Sequence, residues 1–161
     1  LGVDQDPHFR ITRDIAPKIN KVKPALIHNI MIPSLLGPGG KMSASDEKST
    51  IYTTDSPEAV KKKINKYAFS GGQPDIDEHR KIGGNPDIDV SYQYLRIFFE
   101  PDDSKLKKIY DDYKSGKMLT GELKSILIEK INGFLSSHQQ KREIARKNIN
   151  DYLLKDWLAQ R

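Results

Sequence analysis

Residues 37–46 have the sequence Gly37-Pro38-Gly39-Gly40-Lys41-Met42-Ser43-Ala44-Ser45-Asp46. This composition predicts a flexible, glycine-hinged loop that presents one lysine, backbone amides and two hydroxyls. Just before it, residues 24–32 form a short apolar stretch that is typical of a buried strand. Ligands of open α/β sheets bind beyond the carboxyl ends of strands, and amides beside a lysine suit a phosphate. The loop is not a Walker A motif, because Met42 follows the lysine where that motif needs Ser or Thr. The alternative is an ordinary surface turn, which the glycines and the lysine alone would favour.

The residues before this strand predict a helix. Asp6-Pro7 provides a capping acceptor followed by a proline at the first helical position. Pro17 should lie near the end of this helix, because proline disfavours helical geometry in the residue before it. A helix followed by a strand and a loop indicates the end of an α/β unit within residues 1–50. The predicted apolar stripe of the helix comprises Ile11, Ile15, Ala16 and Ile19.

After residue 50 the pattern becomes helical. Ser56-Pro57 predicts a helix start, and a helical turn near residues 76–80 interrupts a loop over residues 70–86. Further helices are predicted over residues 90–99 and from about Ser104 to Gly116. Thr120 is the predicted cap of a long final helix, which Gly133 could interrupt. The apolar stripe predicted for this last segment comprises Leu123, Ile126, Leu127, Ile131, Phe134, Leu135, Ile149, Tyr152 and Leu153.

Length, charge and composition set broad limits. The 161 residues suit one domain, or a partial domain joined to a small one. A net charge of +5 permits an anionic partner, although the charge alone favours a solvated, mildly basic surface over nucleic-acid binding. The absence of cysteine excludes disulfides and thiolate metal sites, and a reducing compartment is the default. No apolar run approaches the roughly 20 residues of a membrane span. The four histidines match no zinc spacing, and we expect no protein-bound metal.

Several segments together carry a resemblance to a known family. Lys41-Met42-Ser43-Ala44-Ser45 resembles the Lys-Met-Ser-Lys-Ser loop of class I aminoacyl-tRNA ligases, in the variant with alanine fourth. Gly2-Val3-Asp4-Gln5 resembles an element upstream of that loop in the tryptophan and tyrosine members. The strings that resemble the eukaryotic or archaeal tryptophan–tRNA ligases are Thr12-Arg13-Asp14, Ala68-Phe69-Ser70-Gly71-Gly72, Glu78-His79-Arg80, Gly83-Gly84-Asn85, Asp87-Ile88-Asp89-Val90-Ser91-Tyr92 and Met118-Leu119-Thr120-Gly121-Glu122-Leu123.

The resemblance implies a fold in two parts. Residues 1–50 would be the α/β remnant of a Rossmann-type class I catalytic domain and would carry the lysine loop. Residues 51–161 would form a mainly α-helical anticodon-binding bundle. The chain starts at Leu1 without an initiator methionine, so we expect a C-terminal fragment that is inactive without its N-terminal half.

The family activates tryptophan with ATP and Mg²⁺ to give tryptophanyl-adenylate, and then transfers the aminoacyl group to tRNA(Trp). By matching position, Lys41 would stabilise the departing pyrophosphate, and Met42 would contact adenine through its backbone. Ser43 and Ser45 would offer hydroxyls or amides to the phosphates. Ala44 stands where many relatives have a second lysine, which leaves more of the charge to Lys41, backbone donors and Mg²⁺.

Further roles follow from the same resemblance. Ile32 would supply a backbone contact to adenine, and Gly2 would allow close approach of the nucleotide. Asp4 would accept hydrogen bonds from the ribose hydroxyls, and Gln5 would touch the amino or carboxylate group of tryptophan. The plainer alternatives are that Asp4 only helps to start the helix and that Gln5 is only solvated.

Contacts with tRNA are the weakest of these expectations. Gln73 and Lys124 are candidates, but relatives often carry an Arg-Asp pair where this chain has Gln73-Pro74, and Pro74 cannot read a base. A tyrosine–tRNA ligase and a non-catalytic RNA-binding or signalling module descended from a ligase are the rival interpretations. The family resemblance also implies a cytoplasmic protein without membrane association, and a parent enzyme that pairs as a homodimer through its catalytic domains.

Overall fold

The first 29 residues form a parallel crossover. In the computed structural model, which describes residues 1–29 and 31–152, the ammonium of Leu1 donates to the Ile27 carbonyl at 3.0 Å. The Asn29 amide donates to the Leu1 carbonyl at 2.8 Å, and the Val3 amide donates to the Asn29 carbonyl at 3.2 Å. Helix α1, Asp6–Ile15, connects the two parallel segments, with 3₁₀ turns at Val3–Gln5 and Ala16–Ile19. A parallel pair of segments needs such a crossover connection.

Three expectations for this region are wrong. Among the described residues of the stretch 24–32, the ladder is limited to the Gly2–Asn29 bridge, so no buried strand forms there, and Ile27 is 80% exposed. A strand is stabilised by hydrogen bonds to neighbouring strands. Within the described part of the chain, the backbone that lies beside residues 27–29 is that of residues 1–3. The predicted stripe of α1 is also exposed at Ile11, Ile15 and Ile19, and only Ala16 is buried. Asp6 is the first helical residue and pairs with Arg10; it does not act as a cap.

A β-hairpin replaces the predicted glycine loop. Strands β1, Pro33–Ser34, and β2, Gly37–Lys41, pair antiparallel with Pro33 opposite Lys41. The glycines predicted a flexible loop, and glycine and proline are both uncommon in strands. Glycine suits this hairpin for local reasons. Gly37 has φ = 134°, and a Cβ on Gly40 would lie 2.8 Å from the Ser34 hydroxyl.

The regular elements in the remainder of the described chain are helices, and the helices predicted after residue 50 are confirmed. The elements are α2 (Pro57–Tyr67), α3 (Ile76–Ile82), α4 (Val90–Tyr94), a π-helical turn (Leu95–Phe99), α5 (Asp103–Lys114), α6 (Thr120–Lys147) and a 3₁₀ turn (Ile149–Tyr152). No described helix combines the length and the apolar character needed to cross a bilayer.

Side chains define where most of these helices begin. The caps of α2 to α5 are the side chains of Ser56, Asp75, Asp89 and Asp102, each of which accepts from an amide of the first turn. Thr120 is not the cap of α6, because it is already the first helical residue.

The last helix differs from the prediction in its details. At its start, the amide of the preceding Leu119 donates to the Glu122 carboxylate at 2.7 Å. Gly133 does not interrupt the helix, which continues to Lys147. Ile149 and Tyr152 are exposed and do not extend the stripe, and Leu153 lies outside the described residues.

The core lies where α2 packs against α6. Val60 and Ile64 of α2 are fully buried, as are Leu123 and Leu127 of α6. Because these positions recur every four residues, each helix presents one continuous apolar stripe to the other. Tyr94 joins this core to the hairpin, since its hydroxyl donates to the Pro33 carbonyl at 2.8 Å. The helical unit therefore fixes the position of the strand that precedes the lysine loop.

We predict that Leu127→Ala lowers the free energy of unfolding by about 2–5 kcal/mol, because it leaves a cavity between α2 and α6. The matched control is Ile144→Ala, at an exposed position of the same helix. This control should change the free energy of unfolding by less than about 0.5 kcal/mol. Urea denaturation followed by circular dichroism measures both. Equal effects would contradict the packing described here.

Candidate functional site

The lysine loop is closed at its base by Ser49. This side chain is buried, and its hydroxyl accepts from the Ser43 amide at 3.2 Å. The same hydroxyl lies 3.1 Å from the Ser43 carbonyl and 2.9 Å from the Asp46 carbonyl. Two backbone turns complete the loop, since the Asp46 amide donates to Ser43 and the Ser49 amide donates to Asp46. The loop after β2 is thus a hydrogen-bonded structure.

The crest of the loop is polar and exposed. The hydroxyls of Ser43 and Ser45 lie 2.9 Å apart, so they form one paired group at the surface. Ala44 is exposed, and its carbonyl accepts from the Tyr52 hydroxyl at 2.8 Å. Met42 is half-buried and packs against the core. The side chain of Lys41 lies outside what the structure describes, whereas its backbone ends β2 opposite Pro33.

The Gly2 turn forms a second element. Gly2 lies at the carboxyl end of the first parallel segment and directly before the turn into α1, where α/β proteins place their ligands. A Cβ on Gly2 would lie 2.6 Å from a carboxylate oxygen of Asp4 and 3.4 Å from the sulfur of Met31. A larger residue would therefore displace the Asp4 carboxylate. Asp4 and Gln5 are both exposed, at the start of α1.

One short segment connects the two elements. Asn29 pairs with Gly2, and Pro33, four residues later, pairs with Lys41. Ile32 directly precedes β1, whose first residue lies opposite Lys41. Its side chain and that of Met42 line an apolar cavity of about 340 Å³, together with residues of α6 and of the π-helical turn. The structure thus brings Ile32 and Met42 to one cavity, and joins them to Gly2 through residues 29–33.

The loop after α2 depends on a buried carboxylate that the sequence analysis did not single out. Asp89 is fully buried, and one of its oxygens accepts from the Gly71 amide at 2.9 Å and from the Tyr113 hydroxyl at 2.8 Å. The other oxygen accepts from the amides of Ser91 and Tyr92. An aspartate directly before the apolar start of a predicted helix was the available signal, since it marks a helix cap.

Gln73 is used by the fold itself. Its side-chain amide donates to the Gly83 carbonyl at 3.0 Å, and its backbone amide donates to the Nδ1 of His79 at 3.4 Å. The Nε2 of the buried His79 lies 2.9 Å from the Met118 carbonyl. His79 therefore has a structural role. A groove of about 440 Å³ lies between Gln73 and the start of α6.

Lys124 contacts the neighbouring helix. Its ammonium lies 3.4 Å from the Asn65 carbonyl at the surface of α2. Burial lowers the pKa of the Lys124 ammonium, and the charge of Asp89 opposes that shift. A lysine held in this way is a weaker partner for a phosphate than a freely extended one. Among the described residues, no group of three or more histidine, aspartate or glutamate side chains could hold a metal ion.

Comparison with known proteins identifies the class. The family described as "tRNA synthetases class I (W and Y)" matches residues 1–136 of the chain. The chain belongs to this family of class I tRNA synthetases. The resemblance inferred from the sequence is thereby confirmed.

Relatives of the chain within the family include tryptophan–tRNA ligases. It is 58% identical over 149 residues to "Tryptophan--tRNA ligase" of Sulfurisphaera tokodaii, an alignment that covers 92% of the chain and 39% of that protein. It is 50% identical to "Tryptophan--tRNA ligase, cytoplasmic" of Homo sapiens over 160 residues, which is 99% of the chain and 33% of the relative. The tryptophanyl-tRNA synthetase structure from Giardia lamblia superimposes with a TM-score of 0.81 at 47% identity, over 88% of the chain and 35% of that structure. The chain therefore spans between a third and two fifths of these relatives.

We predict that Asp89→Asn lowers the free energy of unfolding by roughly 2–3 kcal/mol, because an amide cannot accept from all four donors and leaves buried groups unpaired. Asp87→Asn is the matched control. Asp87 is exposed, and in the described structure its carboxylate accepts one hydrogen bond, from the Tyr110 hydroxyl at 3.3 Å. Its replacement should lower the free energy of unfolding by less than about 1 kcal/mol. Chemical denaturation measures both variants. A stability of Asp89→Asn equal to that of the control would refute the assigned role.

Proposed function

We propose that the chain is the C-terminal part of a tryptophan–tRNA ligase. The complete enzyme forms tryptophanyl-adenylate from tryptophan and ATP, and then transfers tryptophan to tRNA(Trp). The observation that carries this proposal is the hairpin register, which sets Lys41 opposite Pro33, four residues after the Asn29 that pairs with Gly2. The residues matched to the nucleotide site are thus related through the two backbone pairings at Asn29 and Pro33. The identity to tryptophan–tRNA ligases over 92% to 99% of the chain supports the same conclusion.

Adenylate formation is a displacement at phosphorus. The carboxylate of tryptophan attacks the α-phosphorus of ATP, the bond to the bridging oxygen breaks, and pyrophosphate leaves with the negative charge. Such a transfer depends on positioning and on stabilisation of the developing charge. In this proposal Lys41 meets the departing pyrophosphate, helped by the backbone donors of residues 42–45 and by the Mg²⁺ that accompanies ATP. The paired hydroxyls of Ser43 and Ser45 face solvent, where they can bond to phosphate oxygens.

The Gly2 turn serves the other end of the nucleotide. Asp4 accepts from the ribose hydroxyls, Ile32 contacts adenine through its backbone, and Gln5 binds the amino acid. Gly2 permits this arrangement, because a side chain there would displace the Asp4 carboxylate. We also propose that residues 1–50 are the end of a Rossmann-type domain, a role that the parallel crossover around α1 supports.

The helical part, residues 51–161, is proposed as the anticodon-binding domain. Both candidates for an RNA contact also bond within the fold, Gln73 to the Gly83 carbonyl and Lys124 to the Asn65 carbonyl, and Gln73 also borders the groove beside α6. The complete enzyme is proposed to be a cytoplasmic homodimer, and the human relative is named as cytoplasmic. Tryptophan is favoured over tyrosine as the substrate, because the relatives at 50% to 58% identity are tryptophan–tRNA ligases.

The test is tryptophan-dependent ATP–pyrophosphate exchange. The complete protein should show exchange with tryptophan and not with tyrosine, whereas the 161-residue chain alone should show none. Lys41→Ala in the complete protein should lower the exchange rate about 10²- to 10³-fold, the usual loss when one charge-stabilising donor is removed.

Lys48→Ala is the matched control, since it removes a lysine from the same exposed loop but outside the five-residue motif. It should retain nearly full activity, and both variants should keep the circular dichroism spectrum of the parent. Lys41→Ala with an unchanged exchange rate would favour the non-catalytic RNA-binding or signalling module. Robust exchange by the chain alone would refute the fragment interpretation.

A further inference from the structure

Tyr52 joins the lysine loop to the helical part of the molecule. It lies three residues beyond the buried Ser49, and its hydroxyl donates to the Ala44 carbonyl at 2.8 Å. Ala44 is at the exposed crest of the loop, between the two paired serine hydroxyls. Ser49 fixes the base of the loop through Ser43 and Asp46, so the bond from Tyr52 is a separate attachment at the opposite end of the turn.

An ion pair holds the ring of Tyr52 in place. The ammonium of Lys63 lies 4.2 Å from the ring centroid, a cation–π contact, and pairs with the Asp55 carboxylate at 2.7 Å. The same carboxylate oxygen accepts from the Tyr52 amide at 2.9 Å. The side chains of Lys63 and Asp55 are each only 12% exposed, so solvent screens this arrangement little.

The final helix supports the same segment from the other side. The side-chain amide of Gln139 in α6 donates to the carbonyls of Thr53 and Asp55, both at 3.0 Å. Residues 52–55 are therefore bonded to α2 through Lys63 and to α6 through Gln139. The hydroxyl of Tyr52 is therefore a donor on a segment that two helices hold in place, and its acceptor is the Ala44 carbonyl at the crest of the loop.

We propose that Tyr52 is a positioning residue that orders the loop before ATP binds. Its hydroxyl holds the Ala44 carbonyl, so residues 42–48 already occupy one arrangement and lose less conformational entropy when they close on the phosphates. The helical part thereby sets the affinity of the loop for ATP without touching the nucleotide. This assignment rests on the proposed function, because it assumes that the loop binds ATP.

The experiment compares Tyr52→Phe with its parent in the complete protein. Phenylalanine keeps the ring, and with it the contact to Lys63, and removes only the hydroxyl. We expect the KM for ATP in pyrophosphate exchange to rise about fivefold, the factor given by one hydrogen bond of ordinary net strength. The KM for tryptophan and the melting temperature should stay unchanged. Hydrogen exchange of the amides of residues 43–48 should become faster in the absence of ATP.

Tyr67→Phe is the matched control. Tyr67 of α2 and Tyr52 line one groove beside the lysine loop, and the loss of the Tyr67 hydroxyl should change none of these quantities. An unchanged or lower KM for ATP in Tyr52→Phe would overturn the proposal, as would unchanged hydrogen exchange in the loop. A lower melting temperature with equal changes in both KM values would also overturn it, since that pattern marks a purely structural role. If the parent protein itself lacks tryptophan-dependent exchange, the proposed function fails, and the hydrogen-exchange result still decides whether Tyr52 orders the loop.

Discussion

A short series of backbone hydrogen bonds holds the molecule together around Leu35. The Leu35 amide donates to the Ser49 carbonyl, the Phe69 amide donates to the Leu35 carbonyl, and the Val90 amide donates to the Phe69 carbonyl. The Leu35 side chain is fully buried, so these bonds are protected from water, and breaking them would leave polar groups unpaired in the core. The hairpin turn, the end of the lysine loop and the start of α4 are therefore positioned by one another.

The buried Asp89 continues this arrangement on the helical side. A carboxylate without solvent is tolerated only when donors surround it, and the Gly71 amide and Tyr113 hydroxyl supply two of them. Because each donor comes from a different segment, the carboxylate fixes the loop after α2 against α5. The close packing around Asp89 leaves no room for a side chain at two glycines. A Cβ on Gly72, in the loop after α2, would lie 2.2 Å from the hydroxyl of Thr120, and one on Gly84, after α3, would lie 2.5 Å from the Tyr113 ring.

Local signals predicted the helices well, and long-range contacts decided the rest. Ser56-Pro57 marked the start of α2 because capping acts within one turn, and Gly116, with φ = 77°, marked the end of α5 for the same reason. The hairpin could not be predicted from local sequence, because glycine and proline in β2 disfavour a strand. The burial of Leu35, in the turn between the two strands, stabilises the hairpin instead. The motif residues of the loop were found by resemblance, but Tyr52 was not. Its partners Ala44 and Lys63 lie eight residues before it and eleven after it, and no short pattern connects them.

Helix α1 and the turn that follows it carry an exposed apolar stripe. Ile11, Ile15 and Ile19 follow helical spacing, which predicts a buried face, yet all three are exposed here. A contiguous apolar surface of this kind marks a contact with other protein. The chain spans only 33% to 39% of its curated relatives, and in the proposed function residues 1–50 are the end of a larger Rossmann-type domain. On that proposal, the stripe and the outer edges of residues 1–3 and 27–29 are covered together, because a parallel sheet is buried on both of its faces. The apolar stripe of α1 is exposed in this chain, contrary to the prediction of burial. Its exposure agrees with the assignment of residues 1–50 to a larger α/β domain that would cover it.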